Sequence, residues 1–209
     1  MIQLYNEDCM KAMQKMKDNA FDLAIVDPPY GIGISKGLKF KNRLYTEKNW
    51  DSKPPSKHYF EELKRVSKNQ IIFGANHFIE NIPNANSSSW IVWDKKNGSS
   101  TFADCELAYT SFNKAVRKAE IHWTGFASGR EDTPKKIHPT QKPVSLYTWI
   151  LSRYTNEGDK ILDTHLGSGS IAIACHDMKF DLTAYEIDKE YYDLACKRLE
   201  KHQRQLTLF

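Results

Sequence analysis

Apolar positions along this chain follow two different periods, and the change of period predicts its secondary structure. Short apolar runs of strand length lie at residues 21–26, 70–73, 90–93, 106–112, 160–162 and 182–185. Apolar positions recur at helical spacing in residues 10–17, 58–67, 144–154, 170–178 and 189–202. Strands that alternate with helices predict an α/β fold with a doubly wound, mostly parallel sheet.

The length of the chain favours a single domain over residues 1–209. A chain of 209 residues, 40% of them hydrophobic, buries one sizeable core and leaves little room for a second. We expect a short insertion at about residues 94–137 and a tail at 203–209. No apolar run approaches the roughly 20 residues of a membrane span, and residues 1–9 lack the pattern of a signal peptide. A cytoplasmic location is therefore expected.

Basic residues are concentrated locally, although the formal net charge of the chain is only +4. Between residues 31 and 57, seven Lys and Arg side chains face two acidic ones, Glu47 and Asp51. Such an excess suits contacts with phosphate groups, and a solvated surface loop is the alternative. The four cysteines lack the close pairs of a zinc or redox motif, so we expect reduced thiols and no metal site.

The tetrapeptide Asp27-Pro28-Pro29-Tyr30 directly follows the first predicted strand. An amino nitrogen on adenine or cytosine is a poor nucleophile, because its lone pair is delocalised into the ring. The Asp27 carboxylate and the Pro28 carbonyl can each accept a hydrogen bond from that amino group and help to localise the lone pair. Paired prolines fix the direction of the carbonyl, and Tyr30 offers a face for stacking an extruded base. The motif predicts methylation of an amino group, and a simple turn after a strand is the alternative.

A second motif, at residues 161–170, has the order strand, glycine turn and helix. Gly167 and Gly169 let a ligand approach the main chain. Glu186 ends the next predicted strand, where an acidic side chain can accept both ribose hydroxyls of a nucleoside cofactor. Because the full dinucleotide pattern is missing, S-adenosylmethionine fits better than NAD. We interpret His165 as a loop residue that fills space, with a ligand or an acid–base group as the alternative.

These residues together resemble the β class of amino-group DNA methyltransferases. In that family the D-P-P-Y motif precedes the cofactor loop, and Asp27 precedes Asp163 here. Residues 137–143 resemble the family's cofactor-side motif, and residues 6–10 resemble its N-terminal segment. The resemblance covers nearly the whole chain and implies a Rossmann-like fold of the S-adenosylmethionine-dependent type, with a circularly permuted motif order.

The resemblance also implies the roles of individual residues. The catalytic residues that hold the target base are Asp27, Pro28, Pro29 and Tyr30. The residues that bind S-adenosylmethionine are Asp8, Cys9, Asp27, His138, Thr140, Lys142, Asp163, His165, Gly167, Ser168, Gly169, Ser170, Glu186 and Ile187. Thr164-His165 stands where the family often has Pro-Phe, so we expect changed contacts there rather than lost binding.

The residue Asp27 favours adenine N6 as the target, because cytosine N4 enzymes of this family often carry Ser at that position. A cytosine C5 enzyme would need a cysteine nucleophile, usually after proline, and none of the four cysteines follows a proline. We therefore expect direct transfer to nitrogen without a metal. The alternatives are a cytosine N4 enzyme, a methyltransferase that acts on RNA or on a glutamine amide, and a catalytically silent DNA-binding module of the same fold.

The implied partner is double-stranded DNA, and two basic segments are candidates for binding phosphates beside an extruded base. They are residues 31–57 and residues 114–136, and the second lies in the expected insertion, which we interpret as a DNA-recognition element. Arg130 in the second segment is a candidate for reading guanine, and a surface loop with ordinary charges is the alternative. The segment is short, which suggests a short recognition sequence or a second subunit, as in a homodimer.

The last residues, Gln205-Leu206-Thr207-Leu208-Phe209, resemble the pentapeptide with which bacterial DNA-processing proteins bind the sliding clamp of the replisome. A glutamine with spaced Leu and Phe on a mobile terminus can fill an apolar pocket at a small entropic cost. The hypothesis is a tether to replicating DNA, and the alternative is that Leu206, Leu208 and Phe209 pack on their own domain. A partner endonuclease, an epigenetic role and a defence role all stay open.

Overall fold

The computed structural model describes residues 1–33, 48–98, 103–123 and 137–206, without the Leu206 side chain. Its strands are β1 (Ile2–Tyr5), β2 (Phe21–Val26), β3 (Ser67–Phe73), β4 (Trp90–Asp94), β5 (Cys105–Thr110), β6 (Arg117–Glu120), β7 (Lys160–Asp163) and β8 (Asp181–Tyr185). Its α-helices are α1 (Cys9–Met13), α2 (Lys57–Val66), α3 (Val144–Tyr154), α4 (Ser170–Asp177) and α5 (Lys189–Leu206). None of these helices has the length and apolar character to cross a bilayer.

One sheet holds all eight described strands, in the order β1-β8-β7-β2-β3-β5-β4-β6. Strand β5 runs antiparallel to its neighbours β3 and β4, and every other pairing is parallel. The predicted mostly parallel sheet is confirmed.

Apolar side chains build a core on each face of the sheet, because successive strand residues point to opposite faces. On one face Ile25 and Ile71 pack with buried residues of α3, α4 and α5. On the other face Val26 and Ile72 pack with buried residues of α2 and with Met13 of α1. Full burial of one such aliphatic side chain stabilises the fold by about 1.5–3 kcal/mol. Helices on both faces confirm the doubly wound arrangement.

The strands that precede the two sequence motifs, β2 and β7, lie side by side. They are parallel, with Leu23 opposite Ile161 and Ala24 opposite Leu162. The chain continues from β7 through α4 to β8 on one side, and from β2 through α2 to β3 on the other side. A doubly wound sheet opens a crevice where its strand order reverses in this way. The two motifs therefore meet in space although the chain separates them.

The two edge strands β1 and β6 are absent from the predicted set. In β1 half-buried and exposed positions alternate, and in β6 only Ala119 is buried. Short edge strands of this kind carry little apolar signal. The predicted helix at residues 10–17 ends earlier, at Met13, and the chain then turns through hydrogen bonds such as that from Met16 N–H to the Met13 carbonyl.

The described part of the expected insertion at about residues 94–137 includes two strands of the sheet, and the insertion itself stays a prediction. Strand β5 lies between β3 and β4, and β6 pairs with β4, so residues 105–120 belong to the sheet itself. The first residues of the expected tail at 203–209 continue helix α5, which ends at Leu206. Thr207, Leu208 and Phe209 lie outside the described residues.

Candidate active site

One cavity of about 820 Å³ opens where β2, β7 and β8 end. Its volume lies within the range of about 300–1,000 Å³ that is usual for small-molecule and cofactor sites. The predicted site residues that line it are Asp27, Pro28, Pro29, Tyr30, His138, Thr140, Lys142, His165, Gly167, Ser168, Glu186 and Ile187. Both sequence motifs thus face the same space.

The Asp27 carboxylate has a partner on each oxygen. Its Oδ1 accepts a hydrogen bond from the Tyr30 hydroxyl at 2.8 Å, and its Oδ2 accepts one from the Lys142 Nζ at 2.6 Å. Tyr30 follows Asp27 closely in the chain, whereas Lys142 comes from the segment before α3. Lys142 was expected among the cofactor-binding residues, but its ammonium group lies on Asp27 at the base end of the cavity.

The Tyr30 ring is held by its neighbours. It stacks on His77 with ring centroids 5.1 Å apart. Gly74 has a φ of +66°, and a Cβ there would lie 2.1 Å from the ring, so only glycine leaves room for the tyrosine. These contacts direct the hydroxyl toward Asp27, whereas the role of Tyr30 as a stacking platform stays a prediction.

A second carboxylate, Glu106 at the start of β5, contacts the same lysine. Glu106 Oε2 lies 3.1 Å from Lys142 Nζ, and its Oε1 lies 2.8 Å from Lys95 Nζ. Neither Glu106 nor Lys95 was predicted. Because β5 is antiparallel, its first residues lie at the edge of the sheet where the parallel strands end. Their position at the cavity could not be predicted without knowing the order of the strands. We call Asp27, Tyr30, Lys95, Glu106 and Lys142 the base-side cluster.

Burial and ion pairing act against each other in the base-side cluster. Burial favours a raised Glu106 pKa, but the positive charges of Lys142 and Lys95 outweigh it and hold that pKa at about 2. Burial also opposes the charge of Lys142, yet Asp27 and Glu106 raise the Lys142 pKa. For Asp27 burial prevails and, with the charge of Glu106, raises the pKa, while Lys142 lowers it. The charge of Asp27 therefore depends on Lys142.

Glu186 organises the cofactor end of the cavity. Its Oε2 accepts the Gly167 N–H at 2.9 Å, and its Oε1 accepts the Asp188 N–H at 2.9 Å. The Asn6 amide donates to the main-chain carbonyl of Glu186 at 2.8 Å and so holds the N-terminal segment beside the end of β8. The Ile187 side chain is 70% exposed, which leaves an apolar surface beside this carboxylate.

Residues of α5 contact the glycine loop and hold it in place. Gly169 has a φ of +70°, and a Cβ there would lie 3.1 Å from the Ala195 Cβ. The Arg198 guanidinium donates to the Ser168 carbonyl at 2.8 Å and to the Ser170 hydroxyl at 2.9 Å. That hydroxyl donates in turn to the Lys142 carbonyl at 2.7 Å, which connects the loop to the segment before α3.

Five predicted cofactor residues are not among those that line the cavity: Asp8, Cys9, Asp163, Gly169 and Ser170. Asp8 accepts the Met10 N–H at 2.9 Å and caps α1. Asp163 accepts the His165 N–H at 2.9 Å, and burial raises the Asp163 pKa to about 8. Both side chains therefore support local backbone in this structure, and their contact with a cofactor stays a prediction.

Both histidines of the cavity are packed by aromatic rings. His138 lies between Trp50 and Tyr191, with ring centroids 5.3 and 4.3 Å away. The His165 ring packs on its edge against Tyr59 and lies 2.9 Å from the Thr164 hydroxyl. Burial lowers the His138 pKa to about 3 and the His165 pKa to about 4, so both rings are neutral. These contacts agree with a space-filling His165.

The predicted DNA-binding segments are only partly described. Residues 34–47 and 124–136, including Arg130, lie outside the described residues. Lys48 lies 2.9 Å from Asp188 and 3.1 Å from Glu190, and its contact with a phosphate stays a prediction. Lys118 likewise pairs with acidic neighbours of the sheet. In the remainder of the first segment, Lys53 and Lys57 are exposed.

Comparisons with known proteins agree with this geometry. The family profile described as DNA methylase, of the N6/N4 type, matches residues 107–197. The type II methyltransferase M.HpaI of Haemophilus parainfluenzae is 27% identical over 95% of this chain and 74% of its own length. The type II methyltransferase M2.DpnII of Streptococcus pneumoniae is 26% identical over 94% of this chain and 89% of its own length.

Solved structures establish the fold. The M1.HpyAVI–SAM complex has a TM-score of 0.62 and 24% identity and covers 95% of this chain and 99% of its own. The cytosine-N4-specific PvuII DNA methyltransferase has a TM-score of 0.62 at 12% identity and covers 97% of this chain and 90% of its own. The predicted Rossmann-like methyltransferase fold is confirmed. The family match and these relatives support an amino-group DNA methyltransferase of the N6/N4 type.

Proposed function

We propose that this methyltransferase transfers the methyl group of S-adenosylmethionine to N6 of an adenine that has been extruded from duplex DNA. The observation that carries the proposal is that Asp27 and Tyr30 share one cavity with Gly167 and Glu186, at the switch point of the sheet. An acceptor for an amino group thus lies next to a site for a nucleoside.

The residues at the cofactor end fit S-adenosylmethionine. Each Glu186 oxygen accepts one main-chain N–H and has lone-pair capacity left for a ribose hydroxyl. Ile187 offers an exposed apolar surface to an adenine ring, and Gly167 keeps the loop backbone open. When bound, S-adenosylmethionine supplies a methyl group made electrophilic by positively charged sulfur.

At the base end, Asp27 and the Pro28 carbonyl accept hydrogen bonds from the amino group and direct its lone pair away from the ring. The nitrogen forms a bond to the methyl carbon as the methyl–sulfur bond breaks, and positive charge develops on the nitrogen. A fixed carboxylate stabilises that charge. The nitrogen becomes neutral by releasing one proton, for which Asp27 is the adjacent acceptor.

The choice of adenine rests on Asp27, since Ser is common at this position among the cytosine N4 enzymes that the chain resembles. The fold does not decide between the bases, because the PvuII enzyme, described as cytosine-N4-specific, shares it. A cytosine N4 enzyme is therefore the second candidate.

The deciding experiment measures transfer of labelled methyl from S-adenosylmethionine to mixed-sequence duplex DNA and identifies the product nucleoside by mass spectrometry. We expect N6-methyladenine from the wild type and none from Asp27→Ala. Asp22→Asn is a matched control, because Asp22 lies at the other end of β2 and pairs with Lys68. N4-methylcytosine would overturn the choice of base, and an active Asp27→Ala variant would overturn the mechanism.

We also propose a cytoplasmic enzyme that either acts as a homodimer or recognises a short sequence, in a restriction–modification setting like that of type II methyltransferases. Docking on a sliding clamp through Gln205, Leu206, Leu208 and Phe209 stays a proposal, in which Gln205 now lies within α5. Clamp binding that survives replacement of both Leu208 and Phe209 by alanine would contradict it.

A further inference from the structure

We propose that the Lys142 ammonium group exchanges between the Asp27 and Glu106 carboxylates as the target base enters and leaves. Lys142 and Glu106 are then positioning residues that act through Asp27. The inference rests on the proposed function, in which Asp27 accepts a hydrogen bond from the target amino group. It adds Glu106 to the machinery of that reaction.

The first step of the argument is that Lys142 occupies the acceptor the base requires. Lys142 Nζ lies 2.6 Å from Asp27 Oδ2, and the Tyr30 hydroxyl already donates to Oδ1. An ammonium group is a stronger hydrogen-bond donor to a carboxylate than a neutral amino group is. Its positive charge also repels the charge that develops on the nitrogen during methyl transfer. The ammonium must therefore withdraw before the reaction.

The second step is that Glu106 offers the ammonium another acceptor close by. Glu106 Oε2 lies 3.1 Å from Lys142 Nζ, so little movement is needed to strengthen this contact. Lys95 holds the other Glu106 oxygen at 2.8 Å and so fixes the carboxylate in place. The two cations keep the Glu106 pKa at about 2, which ensures a charged acceptor at neutral pH.

The third step is confinement. The Lys142 side chain is only 3% exposed, and transferring an unpaired ammonium group into such a place is strongly unfavourable. Within the described ranges, the carboxylates in contact with Lys142 are Asp27 and Glu106. If the base displaces the ammonium from Asp27, Glu106 is the partner that remains.

Substitution of the two positioning residues is expected to shift the Asp27 pKa in opposite directions. Lys142 lowers that pKa and Glu106 raises it, so Lys142→Met raises it further and Glu106→Gln lowers it. Tyr30 faces the same carboxylate. The other described titratable groups that interact with the Asp27 charge are Tyr59, Tyr147 and Asp163.

Carbon-13 NMR of the side-chain carboxyls in the protein without cofactor and DNA measures these shifts directly. The Asp27 resonance is assigned with Asp27→Asn and is then followed over pH in the wild type and both variants. Glu61→Gln and Lys64→Met on the exposed face of α2 are matched controls that leave the Asp27 pKa unchanged. Thermal unfolding verifies that each variant is folded. If Lys142→Met does not fold, the Asp27 pKa in Glu106→Gln alone decides the test.

Methyl transfer over a range of pH tests the exchange itself. Both single variants are expected to lose at least about tenfold in kcat/KM at neutral pH. The acidic limb of the pH profile moves to higher pH in Lys142→Met and to lower pH in Glu106→Gln. The double variant is expected to be more active than Lys142→Met, because the neighbouring negative charge of Glu106 is then removed. If the two residues had a purely structural role, the losses in kcat/KM of the single variants would add in the double variant. The acidic limbs of the two pH profiles would then not move in opposite directions.

Full activity of Glu106→Gln, or an Asp27 pKa that neither variant changes, would overturn the exchange even in an active enzyme. Absence of methyl transfer by the wild type contradicts the proposed function instead. In that case opposite shifts of the Asp27 pKa would still establish the ion pairing, and the exchange would be rejected together with the function on which it rests.

Discussion

The cofactor end and the base end of the cavity differ in what burial does to their charged groups. At the cofactor end burial prevails: it raises the Asp163 pKa to about 8 and lowers the His138 and His165 pKa values to about 3 and 4. At the base end the ion pairs outweigh burial for two groups, so that Lys142 remains charged beside a Glu106 carboxylate whose pKa is about 2. Asp163, His138 and His165 are thus neutral, whereas Lys142 and Glu106 are ionised.

This difference matches the chemistry that we propose for each end. A nucleoside is recognised by a carboxylate, main-chain groups and apolar contacts, for which a neutral surrounding suffices. Methyl transfer to an amino group creates positive charge, and preorganised charges stabilise it most effectively in a buried site. We infer that the ionised Lys142 and Glu106 lie at the end where the proposed reaction develops charge.

The largest expected effect separates the two ends by one substitution in each. Asp27→Asn is expected to lower kcat by about 10²–10⁴ with little change in the affinity for S-adenosylmethionine. Glu186→Gln is expected to raise the Kd of S-adenosylmethionine by about 10–100-fold, because a charged acceptor is lost, with kcat restored at saturating cofactor. Calorimetric titration without DNA measures the affinity, and single-turnover methylation measures the rate.

Asp22→Asn serves as the control for both variants, since Asp22 lies on β2 away from the cavity. A Glu186→Gln variant with normal affinity would contradict the assignment of this carboxylate to the ribose. Equal losses of affinity in both variants would show that the two ends do not act separately.

The sequence could predict the cofactor end because its parts are local. The strand, the glycine turn and the beginning of α4 are contiguous, and Glu186 ends the next strand along the chain. The position of Asp27 after β2 could be predicted for the same reason. That the two motifs face one cavity followed from a general property of doubly wound sheets, whose ligands bind where the strand order reverses.

The base-side cluster could be predicted only in part, because it depends on strand order. Glu106 reaches the cavity since β5 runs antiparallel between β3 and β4, and no local pattern encodes that pairing. Lys142 is predicted to bind the cofactor, and its contacts with Asp27 and Glu106 could not be predicted because these partners come from distant segments. The short edge strands β1 and β6 could not be predicted, because they bury few side chains and their sequence patterns resemble those of loops.

A substitution in the glycine loop tests how strictly the cofactor end is shaped. Gly169→Ala places a side chain at a φ of +70° and 3.1 Å from Ala195, and we expect a loss of about 1–3 kcal/mol in the free energy of unfolding. Gly158→Ala is the matched control, because its φ is +87° with no atom within 4 Å of the added Cβ. Urea unfolding of both variants measures strain alone in the control and strain with crowding at Gly169. Equal losses would show that Ala195 moves away freely.

The raised pKa of the buried Asp163 predicts a pH dependence of the free energy of unfolding. Its folded-state pKa of about 8 lies above the unfolded value of about 3.9, so the protonated form favours the fold. This contribution is full below the unfolded pKa and is lost as pH rises through the folded pKa. Relative to Asp163→Asn, the wild type should lose up to about 1.4 kcal/mol per pH unit between about pH 5 and 8. The free energies of unfolding of the wild type and Asp163→Asn are measured in urea. If both changed equally with pH over this range, the result would contradict a protonated Asp163.

The smallest expected effect concerns the basic segment beside the cavity, in which one lysine is paired with carboxylates and another is exposed. The Lys48 ammonium is neutralised by Asp188 and Glu190, whereas Lys53 is exposed. If Lys53 contacts a phosphate, Lys53→Ala should lower the slope of log K against log salt by about 0.9. Lys48→Ala should change that slope much less, because a lysine already paired with carboxylates contributes little to the release of counterions from DNA. Fluorescence anisotropy of a labelled duplex over a range of salt measures both slopes. Equal reductions would mean that DNA draws Lys48 away from its carboxylates, so that binding would loosen a contact next to Glu186 and couple the DNA surface to the cofactor end.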